Sequence, residues 1–289
     1  MIQLRTAPAR KRKLLVVHGE KGGIGKSLLA RLMVSFLHTT GLSMSADQVG
    51  VFDADGEGEG RQLTRTVPGA VPIDLTDPIS SAQILDTLMG TQTMRVAVLD
   101  LGARQHRELS EWLYAADVGA LVEEGVLEIT ILWLVGSTVD SVAMLSSALA
   151  TFDECHLVCV LNRFFGDDFP AFTTAQDLQE RLAARNAPSI ELPVLAPKIA
   201  RIVDAIPAPL HEISLPAGQR GETYPQVGFS HKRILGTWAG DIFARLMDPS
   251  VRPLVLPADV AAAMAAPDEP HAAQRAAQTA AELPMGEGM

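Results

Sequence analysis

The sequence predicts an α/β domain, and three observations carry that prediction. Short apolar runs alternate along the chain with longer segments whose apolar residues recur at helical spacing. Several runs end directly in Asp or Asn, as strands do where an open sheet meets its ligand. A glycine-rich loop joins the first apolar run to the first helical segment. The 289 residues suit one domain of roughly 240 residues with tails. A hydrophobic content of 47% is enough for a large buried core.

The first run, Leu14-Leu15-Val16-Val17, leads into the loop. A helix is predicted over 26–40, where Leu28, Leu29, Leu32, Met33 and Phe36 keep helical spacing and Gly41 is the stop. Residues 49–52 read as a buried strand ending in Asp53-Ala54-Asp55-Gly56. A short strand at 73–75 and a helix over 80–89 follow. Residues 96–100 form another buried strand, closed by Asp100 and followed by Gly102. A helix over 105–116 presents Leu109, Trp112 and Leu113 for packing. Then come a strand at 127–135, a helix over 137–152 and a strand at 157–161 that ends in Asn162-Arg163. A helix over 175–185, a strand at 190–195, and a proline turn opening a helix at 196–205 complete the alternation. Residues 207–229 read as a loop. The last helix, 230–247, carries a core stripe of Ile234, Trp238, Ile242 and Leu246.

Composition bounds the remaining possibilities. A net charge of −10 argues against a protein that coats nucleic acid with its whole surface, and leaves a local basic patch open. Residues 1–13 form such a patch, a basic arm that includes Arg10, Lys11, Arg12 and Lys13, able to touch DNA or an anionic membrane or to remain a solvated tail. Lys198 and Arg201 form a second small patch for DNA or a partner. Residues 14–247 constitute the domain, and 248–289 an Ala- and Pro-rich flexible tail. Cys155 and Cys159 form no C-x-x-C, so a metal or Fe–S site is not supported, and they are expected as reduced thiols of a cytoplasmic protein. No apolar run reaches the ~18 residues a membrane span requires, and the N-terminus lacks a signal-peptide apolar segment.

The loop Gly19-Glu20-Lys21-Gly22-Gly23-Ile24-Gly25-Lys26-Ser27 has the context of a phosphate-binding loop. Its glycines leave room for a polyanion and let backbone N–H groups turn inward, and the following helix aims its positive end at the same point. Lys26 would reach the terminal phosphates, and Ser27 would offer a hydroxyl to Mg²⁺. Gly19 and Gly25-Lys26-Ser27 occupy the outer positions of the usual pattern, at a spacing that is not the standard one, and Lys21 lies inside it.

Lys21-Gly22-Gly23-Ile24-Gly25-Lys26-Ser27 resembles the deviant Walker A loop of the ParA/MinD family of dimeric ATPases. The resemblance covers about 13–247 and implies a mostly parallel, doubly wound P-loop NTPase sheet with helices on both faces. It implies ATP and Mg²⁺ as ligands, with Gly22, Gly23, Ile24, Gly25, Lys26, Ser27 and Leu28 around the phosphates. Asp53 matches the family's carboxylate near Mg²⁺, Asp55 its water-positioning residue, and Asp100 its Walker B carboxylate. Asn162, with Arg163, matches the adenine-reading position, and Pro197 the turn that closes over the base. Lys21 matches the signature lysine that crosses to a partner subunit's phosphates. Gly56-Glu57-Gly58 stand where standard ParA chains have Pro-Gln-Gly. The implied function is an ATP-dependent homodimeric switch that positions a cargo through a protein partner, in plasmid partition or conjugative transfer. A small-molecule kinase resembling dethiobiotin synthetases, or an ATP-binding module with slow hydrolysis, are the alternatives.

Overall fold

In the computed structural model, which describes residues 11–19, 21–39, 42, 44–56, 61–214, 224 and 227–265, seven strands form one parallel sheet in the order β3-β2-β4-β1-β5-β6-β7. The strands are β1 (Arg12–His18), β2 (Val49–Ala54), β3 (Val71–Pro72), β4 (Val96–Leu101), β5 (Leu127–Val135), β6 (His156–Asn162) and β7 (Ser189–Leu192). Every residue of β2 and β4 is buried, the pattern of strands covered on both faces.

Alternate residues feed two cores. Leu15 and Val17 pack with α1 (Lys26–His38) and α2 (Gln62–Thr66) on one face. Leu14 and Val16 pack with α3 (Pro78–Gly90) and α4 (His106–Ala115) on the other, where α5 (Val118–Glu123), α6 (Val139–Thr151), α7 (Pro170–Thr173) and α8 (Gln176–Ala184) also lie. The first face is completed by α9 (Pro197–Asp204), α10 (Leu210–Ile213), α11 (Phe229–Leu246), α12 (Arg252–Val255) and α13 (Ala258–Ala263). The predicted doubly wound α/β architecture is therefore present. From β1 the chain passes over β4 to reach β2, and from β4 it passes over β1 to reach β5. The direction of winding reverses beside β1, so the loop after β1 sits in the crevice where open α/β sheets bind ligands.

Several expectations are corrected. Lys13 is not part of a free basic arm: it is 1% exposed in the central strand. Its Nζ donates to Pro253 O at 2.7 Å and Leu254 O at 3.1 Å and pairs with Glu128 at 2.8 Å. Burial lowers its pKa, and Glu128 opposes that shift. Lys13 thus makes no DNA-contacting surface. Lys11 pairs with Glu128 at 2.6 Å, and Arg12 donates to Thr91 O at 3.1 Å. Arg10 and Gly41 lie outside the described residues.

Residues 248–265 are not a tail, because α12 and α13 return to the core and bury Val251, Val255 and Leu256, and the rest of the expected tail lies outside the described residues. In the last long helix Ile234 is exposed, and Leu235 takes its place in a stripe with Trp238, Ile242 and Leu246. The segment 207–229 is not all loop, since α10 buries Leu210 and Ile213 against α1. The short strand falls at Val71–Pro72 rather than 73–75, and Ile73 N–H still reaches Asp53 O at 2.8 Å. Among the described residues no helix is long and apolar enough to cross a membrane.

Candidate functional site

The loop turns at two positive-φ glycines, Gly23 at +71° and Gly25 at +98°. A side chain at either is strained, so glycine there follows from the backbone path. Gly25 is also the N-cap of α1, which points its N-terminus at the loop. Ile24 is buried between them and anchors the loop to the core. Lys26 is 94% buried by side-chain packing, being 6% exposed, and its Nζ donates to Lys21 O at 3.1 Å across the loop.

Two carboxylates flank this lysine at the ends of adjacent strands, where the register sets Asp53 beside Asp100 and Asp100 beside Val17. They differ in how they are held. Asp53 is saturated: Oδ2 accepts from Thr64 N and Thr64 Oγ1, each at 2.8 Å, and Oδ1 from Asp55 N at 3.2 Å. Asp100 is fully buried, and neither carboxylate oxygen has a hydrogen bond of normal geometry. Burial pushes its pKa up to about 8; the Ser27 hydroxyl acts downward, Asp53 and Asp55 push upward, and Lys26 acts downward. A buried carboxylate with no hydrogen bond of normal geometry, and the Ser27 hydroxyl as its neighbour, is short of partners, and a divalent cation is the kind of partner it would accept. Asp53 supports the same place from its pinned position. Asp55 lies half-buried; burial raises its pKa, Lys26 opposes and Asp53 adds to the shift. Its Oδ1 stands 2.8 Å from where a Cβ on Gly102 would be, so Gly102 leaves the room that Asp55 occupies.

A cleft of about 500 Å³ opens beside Lys26, Ser27 and Asp55, while Asp53 and Asp100 are buried and do not line it. Gly23, Gly25, Lys26, Ser27, Leu28 and Asp55 line one end, and Asn162, Pro197 and Arg201 line it further along. A larger cavity, about 720 Å³, lies under α4 and α5 beside Tyr114 and Phe152; it touches none of the loop. The smaller cleft is the candidate site because the convergent charges are there.

Not every predicted residue faces the cleft. Lys21 turns away from it: Nζ donates to Thr138 Oγ1 at 2.7 Å and lies 4.0 Å from Asp140, at the N-terminus of α6. With Gly22, Ile24, Ser137 and Phe165 it borders a separate recess of about 200 Å³. Arg163 pairs with Glu191 at 2.7 Å and also bonds Asp167 O, so it braces the ends of β6 and β7. The hydrogen bond to Glu191 is the main cause of its raised pKa. Lys198 is exposed outside the cleft, whereas Arg201 is at its wall.

The site also uses residues that motif reading does not single out. Thr64 holds Asp53. Gln105 Oε1 accepts from Gly102 N at 2.7 Å and fixes the turn after Asp100. Arg31, buried on α1, donates to Val203 O, Ile206 O and Ala208 O and thereby ties the cleft wall α9 to the helix that follows the loop. Its signal in the sequence is a lone arginine within an apolar helical stretch. His18, at the foot of the loop, packs edge-on against Trp133 at 4.7 Å. Burial, with His106 and Lys26 adding to it, lowers its pKa to about 3, so it remains neutral.

No family model matches the chain, and no curated protein matches it. Among solved structures it is similar to the signal recognition particle receptor FtsY from Elizabethkingia anophelis in complex with GDP, at 14% identity and a TM-score of 0.41. The match covers 64% of this chain and 58% of that one, so the chain spans little more than half the length of the structure it matches. The topology and cleft described above stand on this chain's own strands and side chains.

Proposed function

We propose that the chain is a Mg²⁺-dependent ATPase that works as a dimerising switch of the ParA/MinD kind. The observation that carries this reading is Asp100, buried without a hydrogen bond of normal geometry beside Ser27 and Lys26 at the foot of the glycine loop. Such an arrangement is costly in an empty protein and becomes favourable with a cation and a polyphosphate in the cleft.

Loop amides and the N-terminus of α1 would bind the β- and γ-phosphates, and Lys26 would neutralise their charge. Ser27 and Asp100 would hold Mg²⁺, which when bound supplies charge neutralisation between the phosphates. Asp55 would orient the attacking water, its raised pKa making it a better proton acceptor than an ordinary carboxylate. Asp53, pinned by Thr64, would keep the carboxylate cluster in register. Pro197 and its neighbours would enclose the base. Lys21 supports the dimer reading because its ammonium points away from its own chain's cleft. A cation contributed in trans stabilises charge developing in phosphoryl transfer and makes assembly depend on nucleotide. By the resemblance of the loop, the switch positions a cargo, in plasmid partition or conjugative transfer, through a protein partner.

The test is molar mass in solution with and without ATP and Mg²⁺. Wild type is expected to dimerise only with nucleotide, and Lys21→Ala to remain monomeric while still binding ATP. A wild-type chain that stays monomeric in saturating ATP defeats the sandwich model. Asp55→Ala is expected to lower turnover by at least about 100-fold with ATP affinity retained; unchanged turnover removes Asp55 from the mechanism.

A further inference from the structure

We propose that Asn162 is a positioning residue that locks the phosphate loop, and that it does not select the base. The inference rests on the nucleotide reading above and gives one residue a role different from the one its motif implies. The amide is engaged at both ends. Nδ2 donates to Ile24 O at 2.7 Å, and Oδ1 accepts from Phe164 N at 3.0 Å. The whole side chain is 94% buried, being 6% exposed. Ile24 is the residue between the two positive-φ glycines, so this bond fixes the turn that aims the loop's N–H groups. The fit is close: a Cβ on Gly25 would lie 2.9 Å from Nδ2.

The other end serves the same purpose. Asn162 is the N-cap of the short 3-10 turn Arg163–Phe165, which ties its side chain to the end of β6. β6 lies two strands from β1, with β5 between them. The amide therefore spans from the end of β6 to the loop after β1. A purine edge needs a free acceptor and a free donor presented together. Here one N–H and one lone pair of the amide are used by Ile24 O and Phe164 N–H, and only 6% of the residue is exposed to present the remaining N–H and lone pair. Base contact then falls to apolar surface along the cleft, where the exposed ring of Phe164 and Pro197 offer faces rather than hydrogen bonds.

Asn162→Ser separates the two bonds. A serine hydroxyl still caps the 3-10 turn, and it is too short to reach Ile24 O. Full-length wild type and Asn162→Ser are titrated with ATP, GTP and inorganic triphosphate, and amide hydrogen exchange is followed in the free proteins. All three affinities are expected to fall by the same factor, about tenfold, as expected for one lost hydrogen bond that leaves a carbonyl unpaired. Exchange is expected to quicken in the loop, 22–27, with protection of β1 and β5 unchanged. A change in the ATP-to-GTP ratio, or triphosphate binding unaffected by the substitution, overturns the proposal. Loop exchange equal to wild type overturns it as well. If wild type binds none of the three ligands, the nucleotide reading fails by itself, and the loop exchange still decides whether Asn162 is the brace.

Discussion

Asp100 sets the electrostatics of the site. An acid whose native pKa lies above its unfolded value favours the fold while protonated, and that contribution is lost as pH rises. For Asp100 the window runs from about 4, the ordinary carboxyl value, to about 8. The metal-free protein is therefore expected to lose stability across this window. Asp100→Asn should remove that dependence and raise the metal-free melting temperature at pH 8 by about 5 °C, the counterpart of roughly 2 kcal/mol in a domain of this size. Calorimetry at pH 5 and pH 8 checks both statements. At the proposed site Mg²⁺ would compete with the proton for the same oxygens, so its stabilising effect should grow with pH in wild type and vanish in the variant. Asp100 was legible in the sequence because an unbroken apolar run leads directly into it. Asn162 was legible as a strand-end position, whereas its bond to Ile24 was not, since that partner lies 138 positions away and a strand-end amide carries no sign of what it will touch.

At the scale of elements, the cleft wall depends on a contact between helices. Arg31 reaches from α1 to the carbonyls at the end of α9 and beyond it, and caps them. Burial lowers its pKa to about 10, with Asp204 opposing, so it stays charged at neutral pH. Arg31→Met keeps the hydrophobic stem and removes the donor to Ala208 O, while Val203 O and Ile206 O keep the backbone N–H groups of Ile206 and Ala208. The substitution should cost about 2 kcal/mol in urea denaturation with an unchanged m-value, and, on the proposed function, weaken nucleotide binding by freeing α9. Regular elements were predicted well where periodicity or an apolar run was long, as in β5 and α1. The short helices were missed because α2, α10, α12 and α13 are too brief to show a period, and each owes its form to packing rather than propensity. Ile234 was misassigned for a related reason: an i, i+4 stripe read without the neighbouring face does not reveal that Leu235 is the inward residue.

Across the whole molecule, the winding of the sheet brings the glycine loop, Asp53, Asp55, Asp100 and Asn162 to the carboxyl ends of its strands. That convergence follows from the order of the motifs, and so the location of the candidate site is readable in the sequence. The C-terminal boundary was not, because Ala- and Pro-rich composition conceals Val251, Val255 and Leu256. Truncation after Ser250 removes those three buried side chains, about 2 kcal/mol each, and also the carbonyls that hold Lys13. The shortened protein is expected to lose its cooperative thermal transition, measured by circular dichroism. A melting curve like that of the full chain would mean that α12 and α13 are dispensable.

The Lys13 contact also bears on how the protein emerges from a ribosome. Among the described strands β1 comes first in the chain and lies at the centre of the sheet, yet its lysine is neutralised by Glu128 and capped by carbonyls 240 and 241 positions later. A nascent chain holding only the first half of the sheet would have to bury an ammonium group without these partners. Lys13 thus gains its full set of partners only when the segment around Leu254 leaves the exit tunnel, late in synthesis for a residue at the centre of the sheet.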